Sequence, residues 1–299
     1  MKREFLTQFM ERLIVELERE QRDGTAHVYQ STLKRLKKFA NGREVSFKQL
    51  TPEWLSQFER KLLSDQLKWN SISTYMRTLR SVYNQAVERG IASYIPRLFS
   101  RVHTGIDCQV KRAVSPEVIC RLMTDKKPLP ERLSFTRDMF VPFVDLAFLR
   151  KCDLQGNVIV YHRHKTRRKL TVVVCPEAMA IIEKYRDMYP DSPYLLPIIQ
   201  DPKQDEYRQY SRMLRLHNYR LRQVGYFLKI REQLSTYVAR HTWATTALRQ
   251  NYNSSLICDA MGHSSVKVTE TYFQRYREDE VNQLNNALVA FVLSKKVLC

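Results

Sequence analysis

Apolar positions in the N-terminal third of the chain recur every three to four residues, the period that lays one stripe of a helix against a core. Phe5, Phe9, Leu13 and Leu17 form such a stripe, with Glu11, Arg12, Glu16 and Arg19 on the other face. Tyr29, Leu33 and Leu36 inward and Lys34, Lys37 and Lys38 outward predict a second helix over about 25–39. Thr51-Pro52-Glu53 predicts the start of a third, because a threonine can cap an orphan backbone N–H and proline fits the first helical position. That helix carries Trp54, Phe58 and Leu62. A fourth, over about 71–88, presents Ile72, Tyr75, Leu79, Val82, Tyr83 and Ala86 on one side, and Gly90 is placed to end it.

The periodicity lapses over 97–112, where Arg97, Arg101, His103, Gly105, Lys111 and Arg112 read as a basic linker. Ser115-Pro116-Glu117 repeats the cap-and-proline signal and opens a second region. Within it, β-branched runs at 158–164 and 170–174 flank Lys165-Thr166-Arg167-Arg168-Lys169, which predicts two strands joined by a basic turn. Pro176 opens a helix with Met179, Ile182 and Tyr185 on its apolar side, and a basic helix with Arg208, Arg212, Arg215 and Arg220 spans roughly 205–224. The expected fold is mainly α with a small β-hairpin in the C-terminal part. A helical domain covers 1–96, the basic linker 97–112 and a mixed domain 113–299.

Composition narrows the partners. Fifty Lys and Arg against thirty-one Asp and Glu leave a formal charge of +19 over 299 residues, which attracts a polyanion over a long range. Tyr and Phe are abundant beside the basic residues, as in nucleic-acid-binding surfaces. No apolar run approaches the length needed to cross a bilayer, and Met1-Lys-Arg-Glu-Phe5 leads into an amphipathic pattern rather than a signal sequence, so a cytoplasmic protein with no membrane partner is expected. Cys108, Cys120, Cys152, Cys175, Cys258 and Cys299 form no CxxC pair, which argues against a zinc ribbon or a disulfide framework. His162 and His164 lack a third ligand nearby, and no clustered carboxylates suggest a Mg²⁺-dependent nuclease; no metal is expected.

The chemistry gathers in three segments: Tyr237-Val-Ala-Arg240-His241-Thr-Trp-Ala-Thr245, Met261-Gly262-His263-Ser264-Ser265 and Thr269-Glu-Thr-Tyr272-Phe273. Arginine presents a planar fork to phosphate oxygens, histidine exchanges protons near neutral pH, and tyrosine can act as a nucleophile. Together they suit metal-free attack on a phosphodiester. Arg240 lies among small and apolar neighbours, which suggests partial burial and a need for an anionic partner. Gly262 fits a helix stop that exposes His263 to a cleft, and His241 is expected to be buried and supporting. An unrelated RNA-binding or architectural protein would leave Arg240, His263 and Tyr272 unexplained.

The order of these residues, with nine positions from His263 to Tyr272, closely resembles the C-terminal signature of the tyrosine recombinase (phage integrase) family. The resemblance implies a helical core-type DNA-binding domain and a catalytic domain that close on double-stranded DNA like a clamp. It also implies a homo-oligomer on DNA, a tetramer, that cuts and rejoins strands through a covalent 3′-phosphotyrosyl intermediate without cofactors, as integrases of bacterial mobile elements do. Tyr272 would be the nucleophile, with Tyr276 the competing candidate, and Arg240 would bind the scissile phosphate. His263 would bind the same phosphate or help deprotonate Tyr272. Lys165 matches the family's strand-turn lysine, which protonates the departing 5′ oxygen; the alternative is that Lys165, Arg167, Arg168 and Lys169 form only a DNA-backbone patch. Further DNA contacts are expected from Arg77, Arg80, Lys111 and Arg112. The apolar stripe of 281–292 resembles the family tail that packs on a neighbouring protomer, the alternative being a helix folded back on its own domain.

Two departures stand out. Tyr237 occupies the place where the family usually has a histidine three positions before its second arginine. The family's first catalytic arginine is missing from Phe135-Thr-Arg137-Asp-Met-Phe-Val-Pro142-Phe-Val-Asp145, where Arg137 belongs to the preceding helix. The alternative function is therefore a catalytically impaired DNA-binding relative.

Overall fold

The four amphipathic patterns become helices in the first of two units, Met1–Gln109 and Val110–Cys299, into which the chain divides. They are α1 (Leu6–Arg19), α2 (Asp23–Phe39), α3 (Pro52–Ser64) and α4 (Trp69–Glu88). The computed structural model describes residues 5–105, 113–125, 127–140, 143–163, 167–273 and 278–295. Thr51 accepts from the Trp54 N–H at 3.1 Å, as its cap signal requires. Gly90 ends α4 with φ +69°, a left-handed conformation that favours glycine. The core is built by Phe9, Leu36, Leu55, Phe58, Ile72, Met76 and Leu79, all fully buried. Phe5 lies outside the buried stripe, at the N-cap of α1 with 37% exposure, and Leu6, Met10 and Ile14 widen that stripe instead.

The expected linker over 97–112 needs correction at its start. Leu98, Phe99 and Val102 are buried in the core of the first unit. Tyr83 anchors the approach to them, its hydroxyl donating to the Ser93 carbonyl at 2.8 Å and accepting from the Ile95 N–H at 2.6 Å. Glu59 accepts from the His103 N–H at 2.6 Å. Three apolar side chains among the basic ones thus tie this segment down, and the division falls between Gln109 and Val110.

The second unit contains α5 (Pro116–Thr124), α6 (Glu131–Asp138) and α7 (Phe143–Ala147), then β1 (Leu154–Gln155), β2 (Val158–His162) and β3 (Lys169–Val173). It continues through α8 (Pro176–Tyr185), α9 (Glu206–Phe227), α10 (Thr236–Arg249), α11 (Ser254–Ala260), α12 (Val266–Glu270) and α13 (Glu278–Lys295). The strands form one antiparallel sheet in the order β1-β2-β3, with Tyr161 opposite Leu170 and His162 opposite Lys169. The fold is mainly helical with this small sheet. Val118, Leu122, Leu133, Leu221, Val224 and Val238 join α5, α6, α9 and α10 in one apolar cluster. Phe143, Ile159, Ile182 and Ile198 bind α7, the sheet and α8 in another. No helix among the described residues is long and apolar enough to cross a membrane.

His217 of α9 stacks on Phe143, with ring centroids 4.5 Å apart, and its Nε2 has no hydrogen-bond partner among the described residues. Burial disfavours the imidazolium and pushes the pKa down from 6.5 to about 4. Below pH 6.5 the unfolded chain takes up a proton that the folded chain refuses, so stability falls as pH drops from about 6.5 to about 4 and levels off below. The expected loss is about 3 kcal/mol from a shift of this size. Urea unfolding of the second unit at pH 7 and pH 4.5 should show this difference, and His217→Leu should remove it. An equal pH dependence in both proteins would assign it to other groups.

Candidate active site

Helix α10 carries three of the singled-out side chains on adjoining faces. Ser235 caps it by accepting from the Val238 N–H at 3.2 Å, and the helix is anchored beneath by Val238, Ala239 and Ala244, all buried. One turn apart, Tyr237 and His241 touch, with centroids 4.3 Å apart. His241 is buried, and its Nδ1 lies 2.8 Å from the Tyr272 carbonyl. A carbonyl only accepts, so Nδ1 carries the proton. Thr245 donates to the same carbonyl at 3.3 Å.

Helix α11 stops at Met261-Gly262, where Gly262 has φ +60°. A Cβ at Gly262 would also lie 2.5 Å from Arg163 Cδ, so glycine is required twice over. The reversal turns His263 inward rather than toward an open cleft; only 6% of the residue is exposed. Its Nε2 is 2.7 Å from Arg240 Nη2, and its Nδ1 is 2.9 Å from Thr269 Oγ1. A guanidinium can only donate, so Nε2 accepts and Nδ1–H donates to Thr269. Thr269 in turn donates to the Ser265 carbonyl at 3.5 Å, closing a relay that runs from α10 to α12.

Tyr272 follows α12 rather than lying within it, in a turn closed by its own N–H donating to the Thr269 carbonyl at 2.9 Å. Its half-buried ring is stacked on His263 at 5.1 Å and tilted against His241 at 4.8 Å and Tyr237 at 6.1 Å. The Arg240 guanidinium lies 5.3 Å from the ring centroid. Arg240 spends only Nη2 on hydrogen bonds among the described residues, to His263 and to the Met261 carbonyl at 3.0 Å. Nε and Nη1 of this half-buried fork are left for an anion. A second tyrosine nearby, Tyr161, is held protonated, its pKa pushed up to about 12 by burial and by Asp145.

The chain is similar to known proteins in both of its units. The phage integrase SAM-like domain model matches residues 5–100, and the phage integrase family model matches residues 145–285. The chain belongs to the phage integrase, or tyrosine recombinase, family. No curated protein matches it significantly. Among solved structures, the integrase of transposon Tn1549 in complex with transposon right-end DNA has a TM-score of 0.68 at 12% identity, over 96% of this chain and 100% of that one. A lambda integrase dimer bound to a COC′ core site gives 0.63 at 11% identity, over 92% and 80%. The XerH recombinase in a post-cleavage complex with its difH substrate gives 0.62 at 14%, over 83% and 75%. At these identities the likeness is one of fold.

Within this tyrosine recombinase fold, Tyr237, Arg240, His263 and Tyr272 come together. Lys165, Lys111 and Arg112 lie outside the described residues, as do His164, Pro142 and Tyr276. Arg80 is exposed on α4, and Arg77 is half-buried, its Nε donating to the Ser73 carbonyl at 3.4 Å. Arg167 is exposed at φ +57° in the β2–β3 turn. Arg168 is committed within the protein, donating to the His263 carbonyl at 3.0 Å and to Asp259 at 2.9 Å. Arg137 turns to Asp138 at 3.3 Å and to the Asp125 carbonyl at 3.5 Å. The sequence reading missed Arg163, which is 5% exposed and paired with Asp145 at 3.0 Å. The one local signal was an arginine alternating with apolar residues on a strand. Cys120, Cys152, Cys175 and Cys258 are free thiols.

Proposed function

We propose that this recombinase-family chain is a site-specific DNA recombinase that cuts and rejoins double-stranded DNA through a covalent 3′-phosphotyrosyl intermediate. The observation that carries this reading is the convergence of Arg240, His263 and Tyr272, with the guanidinium 5.3 Å from the tyrosine ring and the imidazole stacked on it at 5.1 Å. Tyr272 Oη attacks the scissile phosphorus, the bond to the 5′ oxygen breaks, and the tyrosine becomes esterified to the 3′ phosphate. Arg240 stabilises the charge that grows on the non-bridging oxygens. As Arg240 turns its Nε and Nη1 onto the phosphate and its Nη2 contact with His263 opens, Nε2 is freed to take the phenolic proton. Tyr237 donates a hydrogen bond to the phosphate, and Lys165 returns a proton to the departing 5′ oxygen.

The helical domain and Arg77, Arg80, Lys111, Arg112 and Arg167 supply the grip on DNA, while Arg168 stays on the His263 carbonyl and Asp259. Helix α13 presents Val281, Leu288 and Val289 with 45%, 54% and 58% exposure, apolar surface suited to a neighbouring protomer in a tetramer on DNA. A suicide substrate that traps protein on nicked DNA tests the reaction directly. Binding should also weaken steeply with salt: a protein that neutralises several phosphates loses about 10³- to 10⁵-fold in affinity between 50 and 200 mM. A flat salt dependence in a fluorescence titration would remove the DNA-binding reading. A second reading, a DNA-binding relative that cleaves poorly, is favoured by Arg137 facing Asp138 and Asp125 where the family's first arginine is lacking.

A further inference from the structure

The turn that carries His263 is held by arginines from the β-hairpin. Three successive carbonyls, of Met261, Gly262 and His263, all accept from guanidiniums. Arg163 Nη1 donates to Met261 at 2.8 Å and to Gly262 at 2.9 Å, and Arg168 Nη1 donates to His263 at 3.0 Å. These groups follow the C-terminus of α11, where carbonyls lack intrahelical partners and the helix dipole favours cations. Arg163 is the deeper of the two. Its side chain is 6% exposed and its Nε is paired with Asp145, itself 11% exposed, at 3.0 Å. Arg163 therefore fixes α7, β2 and the Met261–Gly262 turn to one another through a single side chain.

The Met261 carbonyl also accepts from Arg240 Nη2 at 3.0 Å, so two guanidiniums converge on one oxygen. That oxygen sets where Arg240 Nη2 stands, and the same nitrogen reaches His263 Nε2 at 2.7 Å. We infer that Arg163 is a positioning residue of the recombination site: through the Met261 carbonyl and the Gly262 backbone it fixes the Arg240–His263 contact, and with it the tautomer of His263. Arg163 acts in this role through Asp145 and the two carbonyls, on which its Nε and Nη1 are spent. A lysine at 163 keeps the charge but cannot hold a carboxylate and two carbonyls in one plane. The inference rests on the recombinase reading only for its effect on rate; the geometric part stands on the histidine alone.

The test labels the histidines of the full chain with ¹⁵N and identifies the His263 signals by their loss in His263→Gln. In the unmodified chain a single Nδ1–H tautomer is expected. Arg163→Lys and Arg163→Gln should give signals averaged between two tautomers, and phosphotyrosyl adduct formation about tenfold or more slower at unchanged DNA affinity. Gly262→Ala forces a methyl toward Arg163 Cδ with both arginines retained, and should produce the same averaging. Unchanged His263 signals in the Arg163 variants overturn the inference; if those variants do not fold, unchanged signals in Gly262→Ala overturn it. Absence of adduct from the unmodified chain would sink the recombinase reading, while the tautomer measurement still decides the role of Arg163.

Discussion

Tyr272→Phe should abolish the covalent protein–DNA adduct completely while leaving fold and DNA affinity nearly intact. The reason lies in what holds the residue. His263, His241, Tyr237 and Arg240 grip the aromatic ring, and His241 and Thr245 grip the backbone carbonyl. Phenylalanine keeps every one of these contacts, so the stability change should stay within about 1 kcal/mol, the usual net worth of one hydroxyl's hydrogen bonding. Only the attacking oxygen is lost. A suicide substrate run beside an equilibrium binding titration separates the two effects. An adduct that persists in Tyr272→Phe, or that disappears only in Tyr276→Phe, would move the nucleophile away from Tyr272.

Local chemistry carried the fold well. The cap at Thr51, the proline start at Pro116, the stop at Gly90 and the change of period at β2 and β3 are each decided by a few neighbouring residues, so they could be read without tertiary contacts. The failures share a different cause. Leu98, Phe99 and Val102 sit in a basic stretch with too short an apolar pattern to show periodicity, and only the waiting core of α1 to α4 makes them structural. Arg163 finds Asp145, Met261 and Gly262 across long sequence separations, which no local pattern reveals. The inward turn of His263 follows from the same contact, because Arg163 lies against Gly262. The residue types of the candidate site could be singled out from the sequence; what supports them could not, because packing supplies it.

On the proposed reading, the lack of a first phosphate-binding arginine sets the second large expectation. On the proposed reading this chain forms the phosphotyrosyl adduct far more slowly than a relative with two phosphate-binding arginines. One preorganised donor to a developing oxyanion is worth about 10²- to 10³-fold in rate, and an arginine on a transferring phosphoryl group about 10³- to 10⁵-fold. The structure has space next to Asp145 and Arg240. A cavity of about 510 Å³ is lined by Asp138, Met139, Asp145, Tyr161, Arg240 and Met261, and so flanks both sides of the break in the family pattern. Asp145 Oδ1 is buried with no hydrogen-bond partner among the described residues. A guanidinium placed beside Asp145 would give its orphaned carboxylate oxygen a donor, compensating a desolvation that is otherwise unmet, and would come near Arg240, which lines the same cavity. Inserting a short Arg-Gly-containing segment before Pro142 should therefore raise the single-turnover rate of adduct formation by at least about a hundredfold with little change in DNA affinity. Adduct formation by the unmodified chain as fast as by an intact relative, unaffected by Arg137→Ala, would mean that Arg240 and the remaining groups suffice, and the gap would carry no catalytic cost.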